Sequence, residues 1–269
     1  LTQASDSEQT LNSRVHWVLR IACAGCFIGH GAFGILTKVE WLRYFFVESI
    51  PPHLAYSLMP VIGTWDILMG ILILIWPCPA ILIWMTCWGT FTAFLRPLAG
   101  EADWEFVERA GNYGVPFAFL LLSGWFENQT GLFQKIKIRP PASSLRHFAR
   151  LVLIGSTGFI LIGHGALLAL IKKDLFVYQL SMLGMTVPKE YLALIGTAEI
   201  GMGLAVFFLQ PPLFLIFIFI WKIFTESVYP LSGFPFWEFI ERFGSYGAPL
   251  ALFYLTTAAR KGKVNHVLS

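Results

Sequence analysis

Trp104-Glu105-Phe106-Val107-Glu108-Arg109 returns 133 residues later as Trp237-Glu238-Phe239-Ile240-Glu241-Arg242. The match extends outward: over residues 91 to 116 against 224 to 249, 14 of 26 positions are identical, including Pro97/Pro230, Gly100/Gly233, Gly111/Gly244, Gly114/Gly247 and Pro116/Pro249. The same offset lays Ile62-Gly63-Thr64-Trp65-Asp66 on Ile195-Gly196-Thr197-Ala198-Glu199, and an offset of 134 lays Gly29-His30-Gly31-Ala32 on Gly163-His164-Gly165-Ala166. Self-similarity at a fixed spacing marks an internal duplication.

The composition says where the duplicated unit lives. Of 269 residues, 56% are hydrophobic, 16% aromatic and 13% charged, whereas a soluble domain carries about 25% charged residues. Disorder, a disulfide scaffold and nucleic-acid binding are excluded, because the apolar fraction is high, there are only 4 cysteines, and the net charge of +3 is not gathered into a basic tract. An all-α integral membrane protein is left. A window of about 20 apolar residues finds eight spans, near 15–37, 58–76, 80–95, 110–126, 149–171, 191–209, 212–229 and 243–259. Pro77-Cys78-Pro79 and Gln210-Pro211-Pro212 mark two tight interhelical turns. With four spans per repeat both halves enter the bilayer in the same direction, which predicts two parallel four-helix repeats about a pseudo-two-fold axis along the membrane normal.

The predicted organisation is a polar tail over 1–13, repeat one over 14–126, a basic cytoplasmic linker over 127–147, repeat two over 148–259 and a basic tail over 260–269. The first 13 residues carry no charged region followed by a short apolar core, and read as a mobile tail rather than a signal peptide. Ten of the 19 Lys and Arg residues lie in the tails, the linker and the adjoining helix ends, so the positive-inside rule puts both termini in the cytoplasm. The segments 38–57 and 172–190 mix aromatics with charges, as in Trp41, Arg43, Tyr44, Phe45 and Phe46; interfacial helices and short ordered loops both account for them.

Polar residues kept in both halves nominate the site: His30/His164 on the first helix, Asp66/Glu199 on the second, Thr92/Thr225 on the third, and Glu105/Glu238, Glu108/Glu241, Arg109/Arg242 and Tyr113/Tyr246 where the fourth begins. At 1.5 Å per residue His30 lies roughly 22 Å along a helix that starts inside, and Asp66 roughly 12 Å into one descending from outside. These groups converge on the outer third of the bilayer, one polar pocket per repeat. An ionisable side chain at that depth costs about 2.5–3.5 kcal/mol on insertion scales and needs a partner. An arginine fork suits a carboxylate, so Asp66 is expected to pair with Arg109 and Glu199 with Arg242, Glu105 or Glu108 being the arginine's alternative partner. Glu226 and Lys222 stand in repeat two where repeat one has Ala93 and Gly89, so the halves have diverged. Each group also has a plain structural reading: ion pairs at the start of the fourth helix, and histidines hydrogen-bonded across helices rather than ligating a metal or haem.

Cys23 and Cys26 form a CxxC on one helix face, but repeat two has Thr157 and Ile160 there and no His follows, so neither redox use nor c-type haem attachment is indicated. No metal site is predicted, and no Walker loop, GxGxxG, HExxH or GxSxG pattern occurs.

With its glycine-rich first helix opening on Arg20 and carrying Gly25, Gly29 and Gly31, and its acid followed by glycine on the second helix (Asp66 to Gly70, Glu199 to Gly203), the four-helix unit resembles the DoxX family of bacterial membrane proteins. The tandem duplication, the paired GHGA and the WEFxER segment depart from a minimal member. The resemblance implies a subunit of a redox system in the bacterial inner membrane, partnered by lipid and a redox complex, with quinone or haem as the small-molecule candidates. A proton-coupled solute transporter and a structural or assembly subunit are the other readings open at this stage, and no reaction is assigned.

Overall fold

The computed structural model describes residues 2–171 and 174–267. It is 79% helical and has no strand among the described residues. The helices are α1 (Thr2–Ile35), α2 (Leu42–Val47), α3 (Pro52–Ile75), α4 (Pro79–Leu98), α5 (Trp104–Glu108), α6 (Ala110–Leu121), α7 (Ser143–Ala169), α8 (Asp174–Met182), α9 (Lys189–Phe208), α10 (Pro212–Leu231), α11 (Trp237–Glu241) and α12 (Phe243–Val267).

Six helical stretches among the described residues are long and apolar enough to cross a membrane: Gln9–Ile35, Pro52–Ile75, Pro79–Leu98, Ser143–Ala169, Glu190–Phe208 and Pro212–Leu231. The expected spans near 110–126 and 243–259 correspond to α6, which has only 12 residues, and to the first part of α12, which continues into the basic stretch beyond 259. Prolines start α3, α4 and α10, where the missing N–H is not needed. Gly100 at φ 82° and Gly233 at φ 88° follow the ends of α4 and α10 at matched places in the two halves. A glycine takes this left-handed conformation without a Cβ penalty and so stops a helix.

Three expectations are sharpened. The predicted mobile tail is helical from Thr2, continuous with the first span: no Gly or Pro interrupts residues 2–24, and Ala, Gln and Leu recur there. Residue 1 lies outside the described residues, as do 268 and 269 of the basic tail, which is otherwise helical to Val267. The segments 38–57 and 172–190 hold the short helices α2 and α8, with residues 172 and 173 outside the described set.

The two helices of the duplicated GHGA motif form the centre. About 72% of the apolar window of α1 and of α7 is buried, against 28–33% for the other four. Their glycines make this possible. A Cβ on Gly31 would stand 2.5 Å from the Gly63 carbonyl oxygen, and one on Gly165 would stand 2.4 Å from that of Gly196. Thus α3 lies backbone to backbone on α1, and α9 does so on α7. Arg20 then fixes the far end of α3, donating from Nε to the Ile73 carbonyl at 2.9 Å and from Nη2 to that of Leu74, two acceptors that the helix end leaves open. The halves meet through glycine as well: Gly111 on α6 packs against its repeat counterpart Gly244 on α12, where a Cβ would lie 2.6 Å from the Gly244 carbonyl carbon.

These contacts separate two kinds of glycine. Gly31→Ala is expected to lower the melting temperature, because the added methyl meets backbone. Gly201→Ala, with nothing within 4 Å of its Cβ position, is expected to raise it, by about 0.4–1 kcal/mol in stability. Thermal unfolding in one detergent checks both, and equal shifts for the two variants would refute the packing argument.

Candidate functional site

The WEFxER segment is a helix that breaks at its arginine. α5 ends at Glu108, Arg109 takes φ −87° and ψ 16°, and α6 begins at Ala110; α11, Arg242 and α12 repeat the arrangement. The arginine caps the helix it ends. Arg109 Nη1 donates to the Glu105 carbonyl oxygen at 2.9 Å, to Glu105 Oε2 at 2.7 Å and to Glu108 Oε2 at 3.1 Å. Arg242 Nη1 makes the matching bonds to the Glu238 carbonyl at 2.6 Å, Glu238 Oε2 at 2.8 Å and Glu241 Oε1 at 3.0 Å. One turn on, the Tyr113 hydroxyl donates to the Phe106 carbonyl at 3.4 Å and that of Tyr246 to the Phe239 carbonyl at 3.2 Å, so these two tyrosines serve the helix break.

The expected pairing of Asp66 with Arg109 and of Glu199 with Arg242 is therefore overturned. Each second-helix acid is bonded instead to the first-helix histidine: His30 Nδ1 to Asp66 Oδ2 at 2.8 Å, and His164 Nδ1 to Glu199 Oε2 at 2.5 Å. The physical reason is proximity. The glycines flanking each histidine draw α3 onto α1 and α9 onto α7, putting the acid beside the imidazole, while the arginines are occupied by acids within four residues of their own position. A carboxylate only accepts, so Nδ1 carries the proton in this bond and leaves Nε2 to the other side of the ring.

The halves differ in what surrounds these matched groups. In the first, His30 stacks on Trp41 with ring centroids 4.5 Å apart, and its side chain is 24% exposed. It lines a cavity of about 450 Å³ together with Trp88, Thr92, Arg96, Arg109 and Asn112, while Glu241 and Arg242 reach in from the second half. Thr92 Oγ1 bonds back to the Trp88 carbonyl at 3.0 Å. Asp66 lies fully buried behind the histidine, and its Oδ1 has no hydrogen-bond partner among the described residues. In the second half His164 is 1% exposed, with Phe176 edge-on at 5.2 Å. Lys222 and Glu226 are 1% and 2% exposed and form an ion pair at 2.6 Å; Glu226 Oε2 also stands 2.9 Å from Arg242 Nε. Thr225 Oγ1 bonds to the Lys222 carbonyl at 3.2 Å. One polar pocket per repeat was expected, but these side chains leave the second half closed around His164 and Glu199.

Of the predicted site residues, then, His30, Thr92, Arg109 and Arg242 line the cavity, and Asp66 supports His30. His164, Glu199, Thr225 and Glu226 belong to the closed counterpart, and Tyr113 and Tyr246 to the helix breaks. Trp41, Trp88 and Arg96 were not nominated. Trp88 had a legible signal, since it recurs as Trp221 at the same offset of 133. Trp88 Nε1 reaches Asp66 Oδ2 at 3.4 Å and Trp221 Nε1 reaches Glu199 Oε1 at 2.6 Å. Arg96 stands where the second half has Tyr229, and no comparison of the halves could point to it.

Two further spaces adjoin the cavity. A largely apolar cleft of about 570 Å³ shares Ile62 and Trp88 with it and is otherwise lined by Val61, Thr64, Trp65, Leu68 and Trp84. On another side a polar vestibule of about 330 Å³ shares Trp41, Tyr44, Arg96, Arg109, Glu241 and Arg242. There the Tyr44 hydroxyl donates to Glu101 at 2.6 Å, and burial, together with that carboxylate, pushes its pKa up to about 12. The described residues contain no cluster of three or more His, Cys, Asp or Glu able to hold a metal ion, and Cys23 and Cys26 are buried free thiols. No family model matches the chain, and no curated protein or solved structure matches it.

A clasp between the halves gives a pH test. Lys38, just beyond α1, is bonded to Glu238 on α11 at 2.6 Å. Burial alone would raise the Glu238 pKa, but Arg242 and Lys38 outweigh it and hold the pKa at about 2, down from 4.5. A carboxylate held low contributes stability that is fully present above its unfolded pKa and is lost as pH falls through the folded one. The parent is therefore expected to lose melting temperature more steeply than Glu238→Gln between pH 4.5 and 2. Parallel acid limbs would show that the clasp contributes nothing.

Proposed function

We propose that this chain is a DoxX-like subunit of a bacterial redox system, built as eight spans in two parallel four-helix repeats, and that it binds a quinone in its first half. With α6 and the first part of α12 as the fourth span of each half, the two repeats would enter the bilayer in the same direction. The contacts between matched positions support this arrangement: Gly111 on Gly244, and Gly29 on Glu241 mirrored by Gly163 on Glu108. Near such an axis each half meets the other through the same residues. The inner membrane, with both termini cytoplasmic, follows from the same reading and from the distribution of basic residues.

One observation carries the ligand: a cavity with an oriented imidazole and an arginine in its wall runs past Trp88 into an apolar cleft. Val61, Trp65, Leu68 and Trp84 of that cleft are exposed large apolar residues on α3 and α4, which in a bilayer face lipid. Such a site suits a ligand with a carbonyl-bearing ring and a hydrocarbon tail that enters sideways from the membrane. Quinones take up and release electrons together with protons; the chain supplies a fixed cation at Arg109 and a proton-carrying position at His30 Nε2, held in orientation by Asp66. Haem is the weaker fit, because His30 is the only imidazole lining the cavity and no Met or Cys joins it. The vestibule on the Arg109–Arg242 wall favours a second reading, proton-coupled transport of a polar solute through the same cavity. Uptake by proteoliposomes under a pH gradient would report it.

Trp41 and Trp88 make the quinone site observable. Titration of the purified protein with decylubiquinone is expected to quench tryptophan fluorescence saturably. Arg109→Gln should weaken binding about tenfold, the size expected for one hydrogen bond to a charged donor. Quenching that rises linearly in the parent, as for simple partition into the detergent, would overturn the assignment.

A further inference from the structure

The ion contacts of the two arginines differ at one atom. Both use Nη1 to cap the preceding helix, but Arg242 also has Nε 2.9 Å from the Glu226 carboxylate, whereas Arg109 donates from Nε and Nη2 to no described residue. The residue matched to Glu226 is Ala93, and the residue matched to Lys222 is Gly89. Where the second half holds a buried carboxylate with its own counter-ion, the first half has Arg109 facing a cavity of about 450 Å³. This edge of Arg109 is not sealed off, so an acceptor that enters the cavity can reach the guanidinium.

We infer that Glu226 is a built-in occupant of the second site: its carboxylate stands where a ligand's acceptor oxygen stands against Arg109 in the first. This rests on the ligand reading above and extends it. The chain binds one ligand, not two, and the ligand is recognised through an oxygen acceptor placed opposite the free edge of Arg109.

The neighbouring substitutions are consistent with a site filled from within. Lys222 neutralises Glu226 at 2.6 Å, so closing the second site adds no net charge. Asn112 in the cavity wall is matched by the smaller Ser245, and a Cβ at Gly89 would stand 2.7 Å from the Asn112 carbonyl oxygen. In the first half α4 therefore rests on α6 through a bare backbone, with no room for a lysine. Arg96, a second cation in the cavity wall, is matched by Tyr229, whose ring lies 4.0 Å under the Arg242 guanidinium. The first half leaves Arg96 and Arg109 facing the cavity, whereas the second half seals Lys222 inside and stacks Tyr229 on Arg242, which still reaches the first cavity.

Two experiments test the inference by independent readouts. Glu226→Ala should lower the melting temperature, and sodium acetate should restore a good part of the loss by placing a carboxylate on Arg242. Acetate should leave the parent and Glu226→Gln unmoved at matched ionic strength. Equal acetate responses in all three would overturn the built-in occupant whether or not any quinone binds. In the second experiment, Ala93→Glu should bring a carboxylate to Arg109 and abolish saturable decylubiquinone quenching, while Ala93→Ser, which brings no charge, retains it. The parent should saturate at one equivalent per chain. Two equivalents, or undiminished binding to a folded Ala93→Glu protein, would refute the inference. Should Ala93→Glu not fold, the acetate series and the stoichiometry still decide. If the parent binds no decylubiquinone, the quinone reading fails on its own, and the acetate series continues to test the occupant.

Discussion

Everything in this molecule hangs on two glycines that let a chain turn from one half lie on a helix of the other. A Cβ on Gly29 would stand 2.3 Å from the Glu241 backbone nitrogen, and one on Gly163 would stand 2.2 Å from that of Glu108. Any larger residue would push the Glu-Arg turn away by more than packed helices can accommodate. Because that turn breaks the fourth helix and presents its arginine, this one close approach fixes where the two charged clusters sit. Each helix pair carrying a His–acid bond is thereby closed by an arginine turn supplied across the interface. Lys38 on Glu238 fastens the same junction from outside. Neither half has a complete site alone, since Glu241 and Arg242 wall the cavity of the first.

Such a concentration of largely buried charge persists only when each ion has a near partner. Arg109, Arg242 and Lys222 are held by acids within about four residues in sequence, which makes the compensation local. Local pairs form with little loss of chain entropy. This frees the second-helix acids from neutralising the arginines and lets them act on the histidines. A buried ion pair is weak evidence for net stability, so its value here lies in position: it sets which nitrogen of each arginine stays available.

The sequence disclosed the duplication and the membrane class because each is a property of pattern. An offset of 133 needs no coordinates, and neither do long apolar stretches. The pairing of Asp66 was not legible. Estimates of depth placed Asp66, His30 and Arg109 at one level, and level alone cannot say which neighbour an acid faces around the helix axis. Preference for the charged partner, sound between isolated ions, then pointed to the arginine, although Glu105 and Glu108 were closer along the chain. The same limit hid the closure of the second site. Lys222 and Glu226 were visible as an asymmetry, but only their burial shows that they turn inward on each other.

The exchange of Asp66 for Glu199 shows how the halves have parted. With its extra methylene, Glu199 reaches His164 with one oxygen and Trp221, at 2.6 Å, with the other. The shorter Asp66 gives Trp88 only a 3.4 Å contact, to the oxygen already used by His30, and leaves Oδ1 buried without a partner. An unmet buried acceptor costs about 1–3 kcal/mol. The first half carries that cost at Asp66 beside its cavity, and the second half has removed it at the matched Glu199. A satisfied network holds a single arrangement, whereas an imidazole whose carboxylate has an unused oxygen keeps a place for a second proton donor. Of the two matched acids, the one that stays incompletely bonded is the one whose histidine meets open space, while the second half leaves His164 Nε2 buried without a hydrogen bond among the described residues.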